Sequence, residues 1–294
     1  MMLPNQPGIL KEIPSQARYL TFALNDRKNL ESAMLAVRDL VDGDRTVIGI
    51  GRSLVTALDR EIPGLDVFPR YAGAGVDVPS TPAALWFWLR GDDRGEIVHR
   101  SRHIKHCLAP AFHANTPVDA FMYNNGDDLT GYEDGTENPK GDDAVDTAFV
   151  QGAGPGLDGS SYVAVQVWVH DLDRFEGLNA VEQDNTFGRH RSNNEEFDEA
   201  PAAAHVKRTA QESFTPEAFI VRRSMPWADT RRAGLVFVAF GKSFTAFATI
   251  LNRMTGNEDG ITDAIFSFTR PVSGAYFWCP PLIQGRPDLA LLGL

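Results

Sequence analysis

Apolar positions along this chain recur with two different periods. Val163, Val165, Val167 and Val169 alternate with Tyr162, Ala164, Gln166 and Trp168, a period of two that predicts a strand. Leu30, Met34, Val37 and Val41 are spaced i, i+4, i+7, i+11, which is one face of a helix, and Gly43 stops it. Residues 18–24, 46–50, 84–90 and 119–123 read as strands. Residues 53–58 read as a short helix and 93–108 as a longer one. The order is β-α-β-β-α-β, the split βαβ or ferredoxin-like arrangement. Residues 124–159 are rich in Gly, Asp and Asn and show almost no apolar periodicity, so they are expected to form a long functional loop and linker. The second half repeats the plan. Short helices at 171–177 and 179–187 follow the valine strand. Strands are expected at 219–223, 235–240 and 275–279. A helix is expected at 243–254, with Ser243 as N-cap and Gly256 past its end. The expected fold is therefore α+β, two tandem ferredoxin-like domains, 1–145 and 146–294, in a dimeric α+β barrel-like arrangement, with the duplication inferred from element order alone.

Length and charge narrow the picture. The chain has 294 residues, about two domains' worth. It carries 28 Lys and Arg against 39 Asp and Glu, a formal net charge of −11, which argues against nucleic acid as a partner. Apolar runs are far shorter than the ~20 residues of a membrane span, so no membrane partner is expected. The start, Met1 to Lys11, lacks a basic stretch followed by an apolar one and is not expected to be a secretory signal. Two cysteines, Cys107 and Cys279, are too few for a disulfide framework. A cytoplasmic protein is expected.

Candidate chemistry is sparse. His99, His103 and His106 share a helix face at a spacing that suits a metal, but that face lies opposite Ile97, Ile104 and Leu108, and a solvated face is the simpler reading. His113 and His170 have no suggestive neighbours and read as surface or loop residues. Arg189 and Arg191 flank His190 and disfavour a bound cation there. His205 follows three alanines, which would let a planar group approach closely; a packed histidine is the alternative. In Gly131-Tyr132-Glu133-Asp134-Gly135-Thr136-Glu137-Asn138-Pro139, two glycines bracket Asp134. The stretch fails the EF-hand pattern, and either a plain turn or a carboxylate fixed for acid–base work remains. Arg222, next to an apolar strand, needs an anionic partner, structural or functional.

Taken together, these residues resemble the dye-decolorizing peroxidases of the bacterial cytoplasmic type. Gly131-Tyr132-Glu133-Asp134-Gly135 is similar to that family's Gly-x-x-Asp-Gly motif, extended by Thr136-Glu137-Asn138-Pro139. His205 falls at the family's proximal heme ligand and Arg222 at its distal arginine. Phe240-Gly241-Lys242-Ser243-Phe244, the segment from Glu258 to Asp263, and Phe277-Trp278-Cys279-Pro280-Pro281 are similar as well.

The resemblance implies a peroxidase holding non-covalent heme b in its C-terminal half. Under it, His205 ligates the iron and Asp263 fixes the tautomer of His205. Arg189 pairs with a heme propionate, and Asn138 and Ser224 lie close to the cofactor, Ser224 holding a distal water. Leu235 and Phe237 form dry walls. Asp134 moves the peroxide proton, and Arg222 stabilises developing negative charge. Hydrogen peroxide and small-molecule electron donors are the implied partners, with dyes or phenolics among the donors. Trp86, Trp88, Trp168, Trp227 and Trp278 are candidate electron relays that also read as core. Cys279 as a thiolate ligand is the lesser alternative to a core cysteine. A homo-oligomer is implied, and the apolar tail after Pro287 either packs on the chain or docks into an enclosing shell protein. The competing functions are a heme carrier without need of Asp134 and Arg222, and a zinc- or calcium-dependent hydrolase using the acidic loop.

Overall fold

The computed structural model describes residues 4–73 and 75–294. The first half runs β1 (Gln16–Leu24), α1 (Leu30–Arg38), β2 (Thr46–Ile50), α2 (Arg52–Ala57), the hairpin β3 (Tyr71–Gly73) and β4 (Val76–Val78), then β5 (Leu85–Gly91), α3 (Arg94–Leu108), β6 (Phe112–Ala114) and β7 (Val118–Phe121). After α4 (Gly141–Ala148), the second half runs β8 (Ser161–His170), α5 (Leu172–Glu176), α6 (Ala180–Phe187), α7 (His205–Thr209), β9 (Val221–Arg222), β10 (Met225–Ala228), β11 (Ala233–Gly241), α8 (Thr245–Met254), β12 (Thr269–Pro271) and β13 (Ala275–Cys279).

The strands close on themselves. β1 lies between β5 and β7; β5 continues to β2, β2 to β13, β13 to β8, β8 to β11, β11 to β10, and β10 returns to β7. All these pairings are antiparallel. Closure removes the free edges that would otherwise invite pairing with other chains. Two seams join the halves, and each is narrow: Trp278 opposite Ile50, and Trp227 opposite Ala120. Within the first half the order is β7-β1-β5-β2, and within the second it is β13-β8-β11-β10. The fourth element of each half therefore lies beside the first, then the third, then the second.

Strand alternation sorts side chains into an interior and two outer faces. Tyr19, Trp86, Trp88, Val163, Trp227, Val238, Phe240 and Phe277 fill the barrel. On the outer face of the first half, α1 and α3 seal the sheet. Leu30, Met34 and Val37 from α1, with Ile97, Ile104 and Leu108 from α3, pack on Leu20, Phe22, Phe87 and Leu89. Those helix positions are the ones their 3.6-residue period selects. The outer face of the second half is covered by α8, through Phe247, Ile250, Leu251 and Met254, and by the loops around α5 to α7. His99, His103 and His106 are exposed, as their helix face predicts. Cys279 is buried in the barrel interior, where burial pushes its thiol up, so it is a core residue and not a ligand.

Several expectations need correction. The 124–159 stretch contains a helix, α4, whose polar sequence shows only Ala144 and Ala148 as buried positions and so carries little periodicity. The strand expected at 219–223 is only Val221–Arg222, and the chain leaves strand geometry before resuming as β10. The short strands β3, β4, β6, β10 and β12 carry too few residues to show a period. The apolar tail packs inward, with Leu289 and Leu292 buried on the first half's outer core. That is the packing alternative rather than a free docking peptide.

Candidate active site

The C-terminal half leaves a cavity of about 350 Å³ between the outer face of its sheet and the covering helices. Its walls bring together residues far apart in sequence: Asp134, Arg189, His205, Arg222, Leu235 and Phe237 all line it. Leu235 and Phe237 sit two apart on β11 and so share a face.

On one side stands His205, the first residue of α7. Its Nδ1 lies 2.8 Å from Asp263 Oδ2, and Asp263 is fully buried. The other Asp263 oxygen accepts from Ile265 N at 3.0 Å, capping a short helical turn, and Ala264 N donates to Ala203 O at 2.7 Å. The carboxylate is thus tied to the alanine segment that carries His205. With Nδ1 engaged, Nε2 of His205 has no protein partner among the described residues, and Phe187 meets the ring edge-on.

A second pair lies in the same cavity. Arg222 Nη1 is 3.1 Å from Asp134 Oδ1. Gly131 and Gly135 both adopt positive φ, +81° and +78°, which lets the loop turn sharply on either side of Asp134. Asn138 holds the opposite partner: its Oδ1 accepts from Arg222 N at 2.7 Å and its Nδ2 donates to Arg222 O at 3.0 Å. One loop therefore supplies the carboxylate and clamps the strand that supplies the guanidinium. Asn138 acts through Arg222 and does not line the cavity. Ser224 does not line it either: its Oγ accepts from Val238 N at 3.5 Å, because the break between β9 and β10 undoes the i, i+2 register with Arg222.

Arg189 lies at the cavity wall with two half-exposed carboxylate partners, Glu196 at 2.5 Å and Glu137 at 3.1 Å. Gln166 is buried in the wall, and its amide nitrogen has no partner. Of the five tryptophans only Trp168 lines the cavity.

The family model for the Dyp-type peroxidase C-terminal region matches residues 125–284. The chain belongs to the Dyp-type peroxidase family. It is similar to dye-decolorizing peroxidases of Rhodococcus erythropolis (32% identical, over 84% of this chain and 75% of the relative) and Brevibacterium linens (31%, over 80% and 66%). The match thus spans just under two thirds of the Brevibacterium protein's length. Among solved structures, the dye-decolorizing protein from V. cholerae is 27% identical with a TM-score of 0.85, covering 99% of both chains. DypB from Rhodococcus jostii is 25% identical with a TM-score of 0.84, covering 94% of this chain and 96% of that one. A variant of that DypB is solved in complex with heme.

In this Dyp-type chain one pair escaped the sequence reading. His170 is buried in the cavity wall, not on the surface. Its Nε2 lies 3.0 Å from Asp128 Oδ1, and its Nδ1 2.6 Å from Thr269 Oγ1. Burial pushes the Asp128 carboxyl up, but hydrogen bonds from His170 and Thr130 outweigh it and hold the group below the ordinary aspartate range. The signal was present in β8: the alternation that puts Trp168 on the outer face puts Gln166 and His170 there too.

Proposed function

We propose that this chain is a peroxidase that binds heme b, reduces hydrogen peroxide and oxidises small aromatic electron donors. The observation that carries this reading is that one largely apolar cavity is lined by His205, backed by the buried Asp263, and by the Asp134–Arg222 pair. The residues fit the cofactor. The free Nε2 of His205 would suit a bond to heme iron, and the orphaned Gln166 amide suits a group with acceptor oxygens. Arg189 would pair with a propionate that replaces Glu137 or Glu196. When bound, heme supplies the redox centre on which peroxide is reduced.

Asp263 accepts from Nδ1 of His205, fixes which ring nitrogen is free, and raises the donor strength of that nitrogen. With heme bound, Asp134 would take a proton from one peroxide oxygen and return it to the departing oxygen. Arg222 stabilises the negative charge that develops as the O–O bond breaks. Leu235 and Phe237 keep water from competing. One peroxide, two electrons and two protons give two waters, and two one-electron donors complete the cycle.

The strand orders support reading residues 1–145 and 146–294 as ferredoxin-like domains, with heme held by the second. A homo-oligomeric cytoplasmic protein accords with that reading, and no helix of the described residues is long and apolar enough to cross a membrane. A heme carrier would have no use for the Asp134–Arg222 pair. A metal hydrolase would need a ligand cluster, and the described residues hold no group of three or more His, Cys, Asp and Glu placed to bind a metal.

The test is the absorption spectrum. Wild-type protein should purify or reconstitute with a Soret band, and His205→Ala should lose the bond to iron and most heme. Full occupancy with an unchanged spectrum in that variant would refute the assignment.

A further inference from the structure

Asp134 stands on a small hairpin, and that hairpin is fastened at one buried corner. Asp134 N donates to Gly126 O at 3.2 Å, Asp127 bridges Glu133, and Asp128 N donates to Tyr132 O at 2.8 Å. The turn between them closes through Gly131 N, which donates to Asp128 O at 2.8 Å. Oδ2 of Asp128 accepts from Thr130 N at 3.0 Å and from Thr130 Oγ1 at 2.7 Å. One oxygen of Asp128 thus fixes the turn from inside the loop. The other leaves the loop and meets His170 Nε2, on β8, at 3.0 Å.

His170 is itself held from behind. Its Nδ1 lies 2.6 Å from Thr269 Oγ1, the Thr269 hydroxyl lies 3.1 Å from Val169 O, and β12 pairs with β8 at this same residue. The His170 and Asp128 side chains are only 5% and 13% exposed, so water competes little for their contact. The hairpin has further tethers to the second half, but they are wetter. Tyr132 donates to Asp184 at 2.6 Å and Asn194 to Glu133 at 3.0 Å, with Asp184 part-exposed and Glu133 exposed. Among the described residues the Asp134 carboxylate itself meets only Arg222, so the hairpin backbone decides where it stands.

We infer that Asp128 and His170 are positioning residues for Asp134, locking its hairpin to β8 so that the carboxylate stands at Arg222. The inference rests on the peroxidase reading for its use, though not for the contact. Asn138 fixes the arginine side of the pair, and the Asp128–His170 contact fixes the carboxylate side. The lock matters because proton transfer tolerates little displacement; a shift of about 1 Å can cost ~10²-fold in rate.

Two substitutions separate the two contacts of the ring. His170→Gln sets an amide nitrogen near the place of Nε2 and keeps the donor to Asp128, whereas His170→Asn sets one near Nδ1 and keeps only Thr269. Amide hydrogen exchange of the full-length protein reads the loop without turnover, so its failure is separate from failure of the peroxidase reading. In His170→Asn the amides of Asp128, Gly131 and Asp134 should exchange at least ~10-fold faster, the scale set by losing a hydrogen bond to a charged group, while those of α3 keep wild-type rates. His170→Gln should restore slow exchange. Heme-loaded His170→Asn should react with peroxide at least ~10-fold more slowly, and His170→Gln at close to the wild-type rate. Asp128→Asn leaves β8 untouched and decides the matter alone if the His170 variants do not fold. Its one acceptor oxygen can serve His170 or Thr130 but not both, so the same three amides should loosen. Unchanged exchange in His170→Asn or Asp128→Asn, faster exchange spread evenly into α3, equal behaviour of the two His170 variants, or a loosened loop with a wild-type peroxide rate would each overturn the proposal.

Discussion

The two halves of the barrel share a strand order but treat their outer faces oppositely. In the first half, Leu, Met and Val from α1 and Ile and Leu from α3 meet Leu20, Phe22, Phe87 and Leu89 directly. In the second half the sheet presents Ala164 and Ala239 among larger residues, and α7 is only one turn long. Small side chains below and a short helix above leave a cavity. The space is then edged by groups a sealed core would not tolerate: Gln166, His170, Asp134 and Arg222. One half is built as packing and the other as a site, which is the usual relation between a scaffold and the chemistry it carries.

The largest expected effect falls on the open half. Asp134→Asn cannot move a proton, and the peroxide step should slow by roughly 10²–10⁴-fold, the range for general acid–base catalysis. Arg222→Leu should cost about 3 kcal/mol of transition-state stabilisation, by analogy with the loss of an oxyanion-hole donor. Stopped-flow kinetics of the heme-loaded variants with peroxide would show it. Wild-type rates in both would remove the pair from the mechanism and leave the second half a binding pocket.

Stability should sort the other way. Phe87 is fully buried in the sealed face, and Phe87→Ala should cost about 3–5 kcal/mol. Phe237 already borders open space, so Phe237→Ala should cost about half as much, since part of its contact is missing from the start. Urea denaturation midpoints at constant m value would compare them. Equal losses would mean that the second half's face is as tightly packed as the first.

The same division explains what the sequence made legible. The β-α-β-β-α-β order and the helix faces follow from periodicity, because a sealed core requires apolar residues at each buried position. The site is legible differently. Asp134, His205, Arg222 and Asp263 were placed by resemblance, since no period selects a residue for a cavity wall. Asn138 and Ser224 were near the site in sequence but stand behind it, because a hydrogen bond to Arg222 and a strand break decide where they point. His170 was missed for the opposite reason. The acidic neighbour in sequence, Asp171, caps α5 by accepting from Arg174 N, and the carboxylate that meets His170 is Asp128, which arrives from the loop of the other half.

That pair allows the smallest and most specific test of the comparison. A carboxylate whose folded value lies below its ordinary 3.8 contributes stability above that value and loses it as pH falls through the folded value. The Asp128 group is held low in the folded chain, so its contribution is complete at neutral pH and fades only in acid. Asp128→Asn keeps a hydrogen-bond acceptor for His170 but removes the charge, and should cost about 1 kcal/mol at neutral pH. The stability curves of variant and wild type, from urea melts at a series of pH values, should then converge as the solution is acidified. A gap that stays constant with pH would mean that Asp128 serves the wall by shape alone. A gap that closes would show that charge is built into the wall of the open half, where the sealed half uses only packing.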